Sequence, residues 1–273
     1  MTHETPIRLT TGRQPRPTDP EFREMQGYES GRAEQQAALI PGPHEEPWLN
    51  VLAFHEPGAQ PSLQQALATP FIAQRMRGTV ADLGAGTCWA TAEISKLDVV
   101  HEVVAVDLSE GFLRRVGTRM IHQLHGNVAK VRFVAGSYED VPEPDGTFDA
   151  ALLIASIHHA IAPLKVLLET RRLLKTGGLL LMIENPCSTL GIEAQRRRCL
   201  ELTRSTEATE IAYTRGELDY LLRHAGFVDI EWRPANGFSA NPLKRAVRRA
   251  LRWLDLEHHL LSVSYIVTAI STT

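Results

Sequence analysis

The chain has 273 residues, of which 43% are hydrophobic and 22% are charged, with a formal net charge of -3 at pH 7. This composition is typical of a globular protein with a large core, and the charge disfavours nucleic-acid binding, which needs a basic surface. The three cysteines lack the spacing of a zinc site, so we expect reduced thiols and a cytoplasmic location. No apolar stretch reaches the ~18–20 residues of a membrane span, so we expect no stable membrane insertion.

The first 78 residues are predicted to form an extension, or lid, before a main domain at 79–273. Residues 1–20 are polar and proline-rich, and we expect them to be flexible. Helices are predicted at about 21–39 and 62–76. Two aromatic side chains of the extension, Tyr28 and Trp48, are predicted to cover the substrate, and the alternative is that they pack on the main domain.

From residue 79 onward, short apolar runs alternate with helical patterns. Five runs are predicted to be strands, at 79–83, 102–108, 131–136, 149–156 and 178–185. Strands that are apolar throughout and alternate with helices indicate a parallel sheet covered on both faces. The sequence therefore predicts an α/β fold with a Rossmann-like, doubly wound sheet.

Beyond residue 185 the pattern loosens, and the segments 186–213 and 235–260 are predicted to build the substrate pocket. Helices are expected at 192–208, 214–227 and 241–259, and strands at 228–234 and 262–270. Thr214 and Glu217 have the spacing of a capping box at the start of the second of these helices. The last helix is basic on one side, which we interpret as a solvated face rather than a surface for phosphate or membrane.

The stretch TVADLGAGTCWA, residues 79–90, carries a glycine turn at the end of the first predicted strand. Gly84 and Gly86 allow a ligand to approach the backbone closely. Ligands of doubly wound sheets bind beyond the carboxyl ends of the strands, and Asp107 at the end of the next strand can bind both hydroxyls of a ribose. These features suit a dinucleotide and S-adenosylmethionine equally.

Two residues near the turn favour a cation over a pyrophosphate. Asp82, directly before the turn, would repel a phosphate, whereas a sulfonium and an ammonium group would be attracted to it. Trp89 occupies the place of the third glycine in a phosphate-binding turn, where a small residue is needed. A nicotinamide-dependent oxidoreductase is therefore disfavoured.

The cofactor half of the domain, residues 79–185, resembles the class I S-adenosylmethionine-dependent methyltransferases of the small-molecule kind, methyltransferase type 11 among them. The matching stretches are VADLGAGT, VVAVDLS, FVAGSYEDVPEPDGTFDAALL, IASIHHA and LLKTGGLLLMIEN. The resemblance implies a mostly parallel, seven-stranded sheet with an antiparallel last strand. The predicted fold adds to this sheet an N-terminal helical extension and insertions. The strands predicted at 228–234 and 262–270 would supply the last two positions.

The resemblance also implies a set of cofactor-binding residues. By position they are Asp82, Gly84, Ala85, Gly86, Asp107, Leu108, Ser137, Tyr138 and Ala155. Among them, Asp107 would hold the ribose, Leu108 would lie against the adenine, and Ser137 and Tyr138 would flank it. Ser137 stands where the family often has Asp, and Ala155 begins the loop between cofactor and acceptor.

Two histidines, His158 and His159, follow the fourth strand of the domain on the acceptor side and are the candidate catalytic residues. An imidazole there could take a proton from the acceptor as the methyl group is transferred. The alternative is that one of them packs against or caps the next helix. No metal site is predicted.

The sequence thus predicts methyl transfer from S-adenosylmethionine to a small-molecule acceptor by in-line displacement, giving S-adenosylhomocysteine. Positioning alone supplies much of the rate of such a reaction, so the lack of a clear catalytic triad does not argue against an enzyme. The same cofactor could instead serve aminocarboxypropyl transfer or a cyclisation that releases methylthioadenosine, or a non-catalytic binding module. Beyond the acceptor, the partner that the chain could have is a second copy of itself, as a homodimer.

Overall fold

An eight-stranded sheet forms the centre of the computed structural model, counted over the residues that it describes. These residues are 7–16, 18–19, 22, 25, 59–206, 209–235, 242–254 and 256–272. The predicted substrate residues Tyr28 and Trp48 lie outside the described residues, as does most of the helix predicted at 21–39.

The strands and helices alternate along most of the chain. In chain order the strands are β1 Arg8–Thr11, β2 Gly78–Leu83, β3 Val100–Asp107, β4 Val131–Ala135, β5 Phe148–Ile154, β6 Leu174–Glu184, β7 Phe227–Pro234 and β8 Tyr265–Ser271. The helices are α1 Ala59–Leu67, α2 Pro70–Arg75, α3 Trp89–Ser95, α4 Glu110–Phe112, α5 Thr118–Gln123, α6 Pro163–Leu173, α7 Ile192–Thr206, α8 Arg215–His224, α9 Pro242–Trp253 and α10 Glu257–Leu260. A π-helical stretch, Leu113–Gly117, joins α4 to α5, and a 3-10 turn, Ile157–His159, follows β5.

The strand order across the sheet is β1-β4-β3-β2-β5-β6-β8-β7. Neighbouring strands are parallel, except that β8 is antiparallel to both β6 and β7. The predicted class, an α/β Rossmann-like sheet with an antiparallel last strand, is therefore confirmed. The carboxyl ends of β2 to β6 meet at one edge of the sheet, and this edge is where ligands bind in folds of this kind.

Strand β1 is one strand more than the seven that the resemblance implied. Arg8–Thr11 pairs in parallel with Arg132–Ala135 of β4, so the expected flexibility of residues 1–20 is wrong at these positions. The strand lies at the edge of the sheet and is mostly exposed, so it needs no apolar alternation. Main-chain hydrogen bonds attach β1 to β4. Because these bonds depend little on side-chain identity, they leave little pattern in the sequence.

Helices cover both faces of the sheet. On one face Ala81 of β2 packs in a cluster with Val166 of α6. On the other face Val80 of β2 packs with Leu63 of α1 and Ile94 of α3. The alternation of β2 side chains between two buried clusters explains why its sequence is apolar without a period of two.

Helices α1 and α2 replace the single helix predicted at 62–76. The break falls at Thr69–Pro70, and Pro70 occupies the first turn of α2. Because proline has no N–H and its ring collides with the preceding turn, it can begin a helix but not continue one. Both helices nevertheless pack on the sheet, through residues such as Leu63 and Ile72.

The start of α8 follows from a local sequence signal, whereas the end of α6 does not. The predicted capping box is confirmed: Glu217 N donates to Thr214 Oγ1 at 3.2 Å, and Thr214 N donates to Glu217 Oε2 at 2.8 Å. A glycine pair commonly follows the end of a helix, but α6 already ends at Leu173 and the pair Gly177–Gly178 lies within β6. Gly177 has a φ of +76°, so it serves a bend in the strand instead.

The helix predicted at 241–259 is divided into α9 and α10, and its basic side is partly turned toward the protein. Arg248 Nε donates to Glu257 Oε1 at 2.8 Å, and Arg252 pairs with the other carboxylate oxygen of the buried Glu257. On the apolar side, Val247 is 50% exposed and Trp253 is 85% exposed. None of the helices that the structure describes has the length and hydropathy to cross a bilayer.

Candidate active site

The glycine turn after β2 is held open above the sheet. Gly84 and Gly86 have φ angles of +74° and +51°, which side chains rarely adopt. A Cβ at Gly84 would lie 2.7 Å from Ser156 Cβ, whereas a Cβ at Gly86 would meet no atom within 4 Å. The N–H groups of Gly84 and Ala85 both donate to Val106 O of β3 at 2.9 Å. The turn is therefore fixed at Gly84, and its backbone faces open space at Gly86.

Asp107, at the end of β3, is hydrogen-bonded to this turn. Gly86 N donates to its Oδ2 at 2.8 Å, and Ser109 N donates to its Oδ1 at 3.3 Å. The residue is partly exposed, as is its neighbour Leu108. Burial raises the pKa of the Asp107 carboxyl, and the backbone N–H groups oppose this rise. Because each carboxylate oxygen can accept two hydrogen bonds, both can also bind a hydroxyl group of a ligand.

Asp82 lies one residue before the end of β2 and is 2% exposed. Thr91 Oγ1 of α3 donates to its Oδ2 at 2.5 Å. Burial raises the pKa of the Asp82 carboxyl to about 6, the bond from Thr91 opposes the rise, and the charge of Asp107 adds to it. A carboxylate in this position is stabilised by a cation, and a nearby phosphate would make its charge more costly.

The carboxyl end of β5 contributes a strained turn and an unsatisfied hydroxyl. Ala155 has a φ of +50°, and its N–H donates to Ile183 O at 2.9 Å. Ser156 Oγ is buried, and it is the single buried side-chain N or O atom without a hydrogen-bond partner in the part of the chain that the structure describes. A buried polar atom of this kind calls for an explanation, and a ligand atom over the glycine turn would provide one.

The loop after β4 lies on the other side of the turn. Ser137 is buried, its N–H donates to Arg13 O at 3.0 Å, and its Oγ accepts from Glu139 N at 3.1 Å. Tyr138 extends toward β5, where its OH donates to Ser156 O at 3.2 Å. Tyr138 thus supports the glycine turn, and its predicted contact with the adenine stays a prediction. Backbone from the N-terminal segment at Arg13 covers Ser137.

The cysteine of the turn is a packing residue. Cys88 is fully buried, with a φ of +61°, and burial raises the pKa of its thiol well above the usual range. A Cβ added at Gly117 would lie 2.7 Å from Cys88 Sγ, so the thiol fills the space next to that glycine. This environment disfavours a nucleophilic thiolate.

Both candidate catalytic histidines lie in the 3-10 turn after β5, and His158 lies next to a buried carboxylate at the end of β6. His158 Nδ1 is 3.0 Å from Glu184 Oε2, and Glu184 is 4% exposed. His159 Nδ1 is 2.6 Å from Thr209 O, and the centroids of the two imidazole rings are 4.3 Å apart. A cavity of about 190 Å³ opens here, with His158, Glu184 and Glu210 among the residues around it.

Residues 81–182, which carry this edge of the sheet, match the family model described as a methyltransferase domain. The ubiquinone/menaquinone biosynthesis C-methyltransferase UbiE of Pasteurella multocida is 36% identical over 106 residues, covering 38% of this chain and 39% of that protein. Residues 81–182 form a methyltransferase domain. The predicted class I family and its cofactor, S-adenosylmethionine, are thereby confirmed for this segment. The chain spans about two fifths of the length of the curated relatives that it matches.

Solved structures extend the likeness over most of the fold. A putative methyltransferase of Haloferax volcanii, determined with the Trm112 methyltransferase activator, matches with a TM-score of 0.58 and 16% identity, over 92% of this chain and 98% of that chain. The [4+2]-cyclase SpnF matches with a TM-score of 0.58 and 20% identity, over 96% of this chain and 99% of that chain. At these identities the likenesses show the fold alone.

The methyltransferase domain brings most of the predicted cofactor residues together at one edge. Gly86 of the turn is hydrogen-bonded to Asp107, and Asp82 lies two residues before Gly84 in the sequence. Ala155 directly precedes Ser156, whose side chain lies beside Gly84. Open space at Gly86, the unsatisfied Ser156 hydroxyl and the Asp107 carboxylate lie around the same turn, and the buried Asp82 carboxylate directly precedes it. Two carboxylates at one turn favour a cationic ligand over a phosphate. The roles of the individual residues toward the cofactor stay predictions.

Sequence reasoning missed three polar residues of this edge. Glu184 ends an apolar strand, and a charged residue at the carboxyl end of a buried strand is a signal that could have identified it. Ser156 follows the strained Ala155, and its burial shows only in the folded chain. Glu210 lies near His158 in the fold but 52 positions after it in the sequence, and no local sequence pattern predicts such a contact.

A matched pair of glycine substitutions tests the turn. Both Gly84→Ala and Gly86→Ala place a side chain at positive φ, which costs about 1–2 kcal/mol of stability. Gly84→Ala is expected to cost about 1–2 kcal/mol more, because its Cβ overlaps Ser156. Gly86→Ala is expected to fold and to lower S-adenosylmethionine affinity at least about tenfold, because its methyl group enters the open space at this position. Urea unfolding measures the stability of each variant, and calorimetry measures its affinity for S-adenosylmethionine. Equal stabilities and equal affinities of the two variants would contradict this geometry.

Proposed function

We propose that the chain transfers a methyl group from S-adenosylmethionine to a small-molecule acceptor bound at the carboxyl ends of β5 and β6. The observation that carries the proposal is the pair of carboxylates, Asp82 and Asp107, on either side of a glycine turn that leaves open space at Gly86. When bound, the cofactor supplies an electrophilic methyl group on a positively charged sulfur.

The residues of the turn are proposed to bind the two ends of the cofactor. Asp82 attracts the cationic end, and the Ser156 hydroxyl gains a polar partner there. Asp107 accepts hydrogen bonds from the ribose hydroxyls, with Leu108 against the adenine and Ser137 near its edge. With the ribose held at β3, the cationic end of the cofactor would extend past β2 toward β5, the neighbour of β2 on the other side.

His158 and His159 are proposed to act on the acceptor. They lie in the 3-10 turn that follows Ser156, and His158 lines the cavity beside Glu184 at the end of β6. The Glu184 carboxylate at Nδ1 of His158 orients the ring and leaves Nε2 as its basic atom. An oriented basic nitrogen can take a proton from an acceptor or bind a cation, and either would make the acceptor a better nucleophile.

The chemistry of the acceptor is proposed from the site and from the name of one relative. UbiE is named as a C-methyltransferase, and the likeness favours an acceptor with an acidic C–H or O–H group. The matched residues, 81–182, stop before Glu184 and Glu210. The acceptor cavity is therefore lined largely by residues outside the matched segment. A larger cavity of about 590 Å³, beside Tyr220 and His258, contains none of the predicted site residues.

Product analysis tests the proposal. The protein is incubated with S-adenosylmethionine and a panel of phenols, enolisable ketones and amines, and the nucleoside product is identified by mass spectrometry. Methyl transfer gives S-adenosylhomocysteine together with an acceptor heavier by one CH₂. Methylthioadenosine would instead support aminocarboxypropyl transfer or cyclisation. Turnover of none of the acceptors, with intact cofactor binding, would support the binding-module alternative. The cytoplasmic location and the homodimer stay predictions.

A further inference from the structure

Three potential metal ligands meet on the acceptor side of the candidate active site. His158 and His159 come from the 3-10 turn after β5, and Glu210 comes from the segment that follows α7. One ligand atom of each residue lies within 4.8 Å of the other two, and His158 Nε2 is 4.0 Å from Glu210 Oε2. All three residues are partly buried. No metal site was predicted from the sequence, in which Glu210 is far from the two histidines.

The hydrogen bonds of the imidazoles determine which nitrogen can bind a metal. His159 Nδ1 lies 2.6 Å from Thr209 O, and a backbone carbonyl can only accept a hydrogen bond. His159 Nδ1 therefore carries the hydrogen, and the lone pair of the neutral ring is on Nε2. The Glu184 carboxylate, 3.0 Å from His158 Nδ1, imposes the same tautomer on His158.

Such carbonyl and carboxylate partners are the usual neighbours of metal-bound histidines. In metal sites the ligating imidazole donates its other N–H to a carboxylate or a backbone carbonyl, which fixes the ring and raises its basicity. Here each of the two neighbouring histidines has one of these partners. An ordinary packed histidine needs neither a buried carboxylate such as Glu184 nor a second carboxylate, Glu210, opposite its Nε2.

We propose that His158, His159 and Glu210 bind one divalent transition-metal ion through two imidazole nitrogens and a carboxylate oxygen. This mixed nitrogen and oxygen set suits Zn²⁺ or Fe²⁺ better than Mg²⁺ or Ca²⁺, which prefer oxygen ligands alone. Ligand atoms around a tetrahedral zinc ion with bonds of about 2.0–2.1 Å are about 3.3 Å apart. The three ligand atoms, now within 4.8 Å of one another, would have to move closer together to bind such an ion.

Three protein ligands leave at least one position of the ion for another molecule. The cavity that His158 and Glu210 help to line would give another molecule access to such a position. An acceptor oxygen bound there would lose its proton at lower pH, since the ion stabilises the resulting anion. This purpose rests on the proposed function, whereas binding of the ion itself does not.

Metal titration of the full chain tests the site. Protein freed of metal by a chelator is titrated with ZnCl₂ by calorimetry and with CoCl₂ by visible absorption, where nitrogen and oxygen ligands produce characteristic bands. We expect one ion per chain. His158→Ala, His159→Ala and Glu210→Gln should each lower Zn²⁺ affinity by more than about 100-fold, and Glu184→Gln by about 10–100-fold as the partner of a ligand.

The chain offers a matched control in a second pair of adjacent histidines. His258 and His259 also stack, with centroids 3.9 Å apart, but they belong to no three-ligand cluster among the described residues. His259→Ala should leave the stoichiometry and affinity unchanged. Circular dichroism and S-adenosylmethionine calorimetry on each variant establish that it is folded.

The outcomes separate the metal site from the proposed function. Absence of stoichiometric binding in the unaltered protein, or binding that survives all three ligand variants, overturns the metal site and leaves methyl transfer standing. Metal binding that the three variants abolish, in a protein that methylates nothing, supports the metal site and counts against methyl transfer alone.

Discussion

Asp107→Ala is expected to lower the affinity for S-adenosylmethionine by at least about 100-fold. The carboxylate is proposed to accept hydrogen bonds from both ribose hydroxyls, and hydrogen bonds to a charged group contribute about 1.5–3 kcal/mol each. Since about 1.4 kcal/mol corresponds to a tenfold change in affinity, losing both bonds gives this magnitude. The substitution also removes the acceptor for Gly86 N, so the turn itself loses a restraint.

Calorimetry of cofactor binding measures this effect, with two companions for comparison. Asp98→Ala removes an exposed aspartate near the opposite end of β3 and should leave the affinity unchanged. Asp107→Asn keeps one acceptor oxygen for Gly86 N and should fall between Asp107→Ala and the unaltered protein. An Asp107→Ala protein that is folded and binds the cofactor normally would refute the assignment of the site.

Much of the fold could be predicted because its signals are local. Strands β2 to β6 are short apolar runs separated by helical periods, and the glycine turn is marked by residues whose chemistry is readable one by one. Thr214 and Glu217 fixed the start of α8 because a capping box involves only four consecutive residues. The same locality explains why Asp82 and Asp107 can be identified from the sequence alone.

The parts that were missed depend on contacts between distant segments. Strand β1 is held by pairing with β4, more than 120 residues away, and its own four residues carry no apolar pattern. The acceptor side is similar: Glu184 meets His158 across 26 positions, and Glu210 meets it across 52. A sequence indicates that a histidine or a glutamate is present, but only the fold indicates which carboxylate orients which ring.

Asp82→Asn is expected to stabilise the cofactor-free protein at neutral pH. The pKa of Asp82 rises from the usual 3.8 to about 6 in the folded protein, chiefly because burial disfavours its charge. Folding is therefore penalised above pH 6, by about 3 kcal/mol. Asparagine has no charge to bury, and its oxygen can still accept the hydrogen bond from Thr91.

The direction of the pH dependence follows from the raised pKa. Below pH 3.8 the carboxyl is protonated in both states, so its burial costs nothing. Between pH 3.8 and about 6 the folded protein binds more protons than the unfolded chain, so stability falls as the pH rises. Urea unfolding should thus show an advantage of Asp82→Asn that is full above pH 6 and shrinks toward pH 3.8. A constant difference over this range would refute the raised pKa.

Asp82→Asn is also expected to weaken cofactor binding. A substitution that raises the free energy of unfolding but lowers the affinity for the cofactor identifies a functional carboxylate rather than a structural one. A cation over the glycine turn favours ionised Asp82, so binding should release a proton below pH 6, and the affinity of the unaltered protein should rise toward that pH. In Asp82→Asn this part of the pH dependence of the affinity should vanish. At pH 7.5 its affinity for the cofactor should be lower by about 30–100-fold, which corresponds to a loss of about 2–3 kcal/mol of binding free energy. Titrations of both proteins at several pH values isolate the contribution of Asp82, because His158 and His159 are present in each. An Asp82→Asn protein that gains stability and keeps full affinity would place the cation elsewhere.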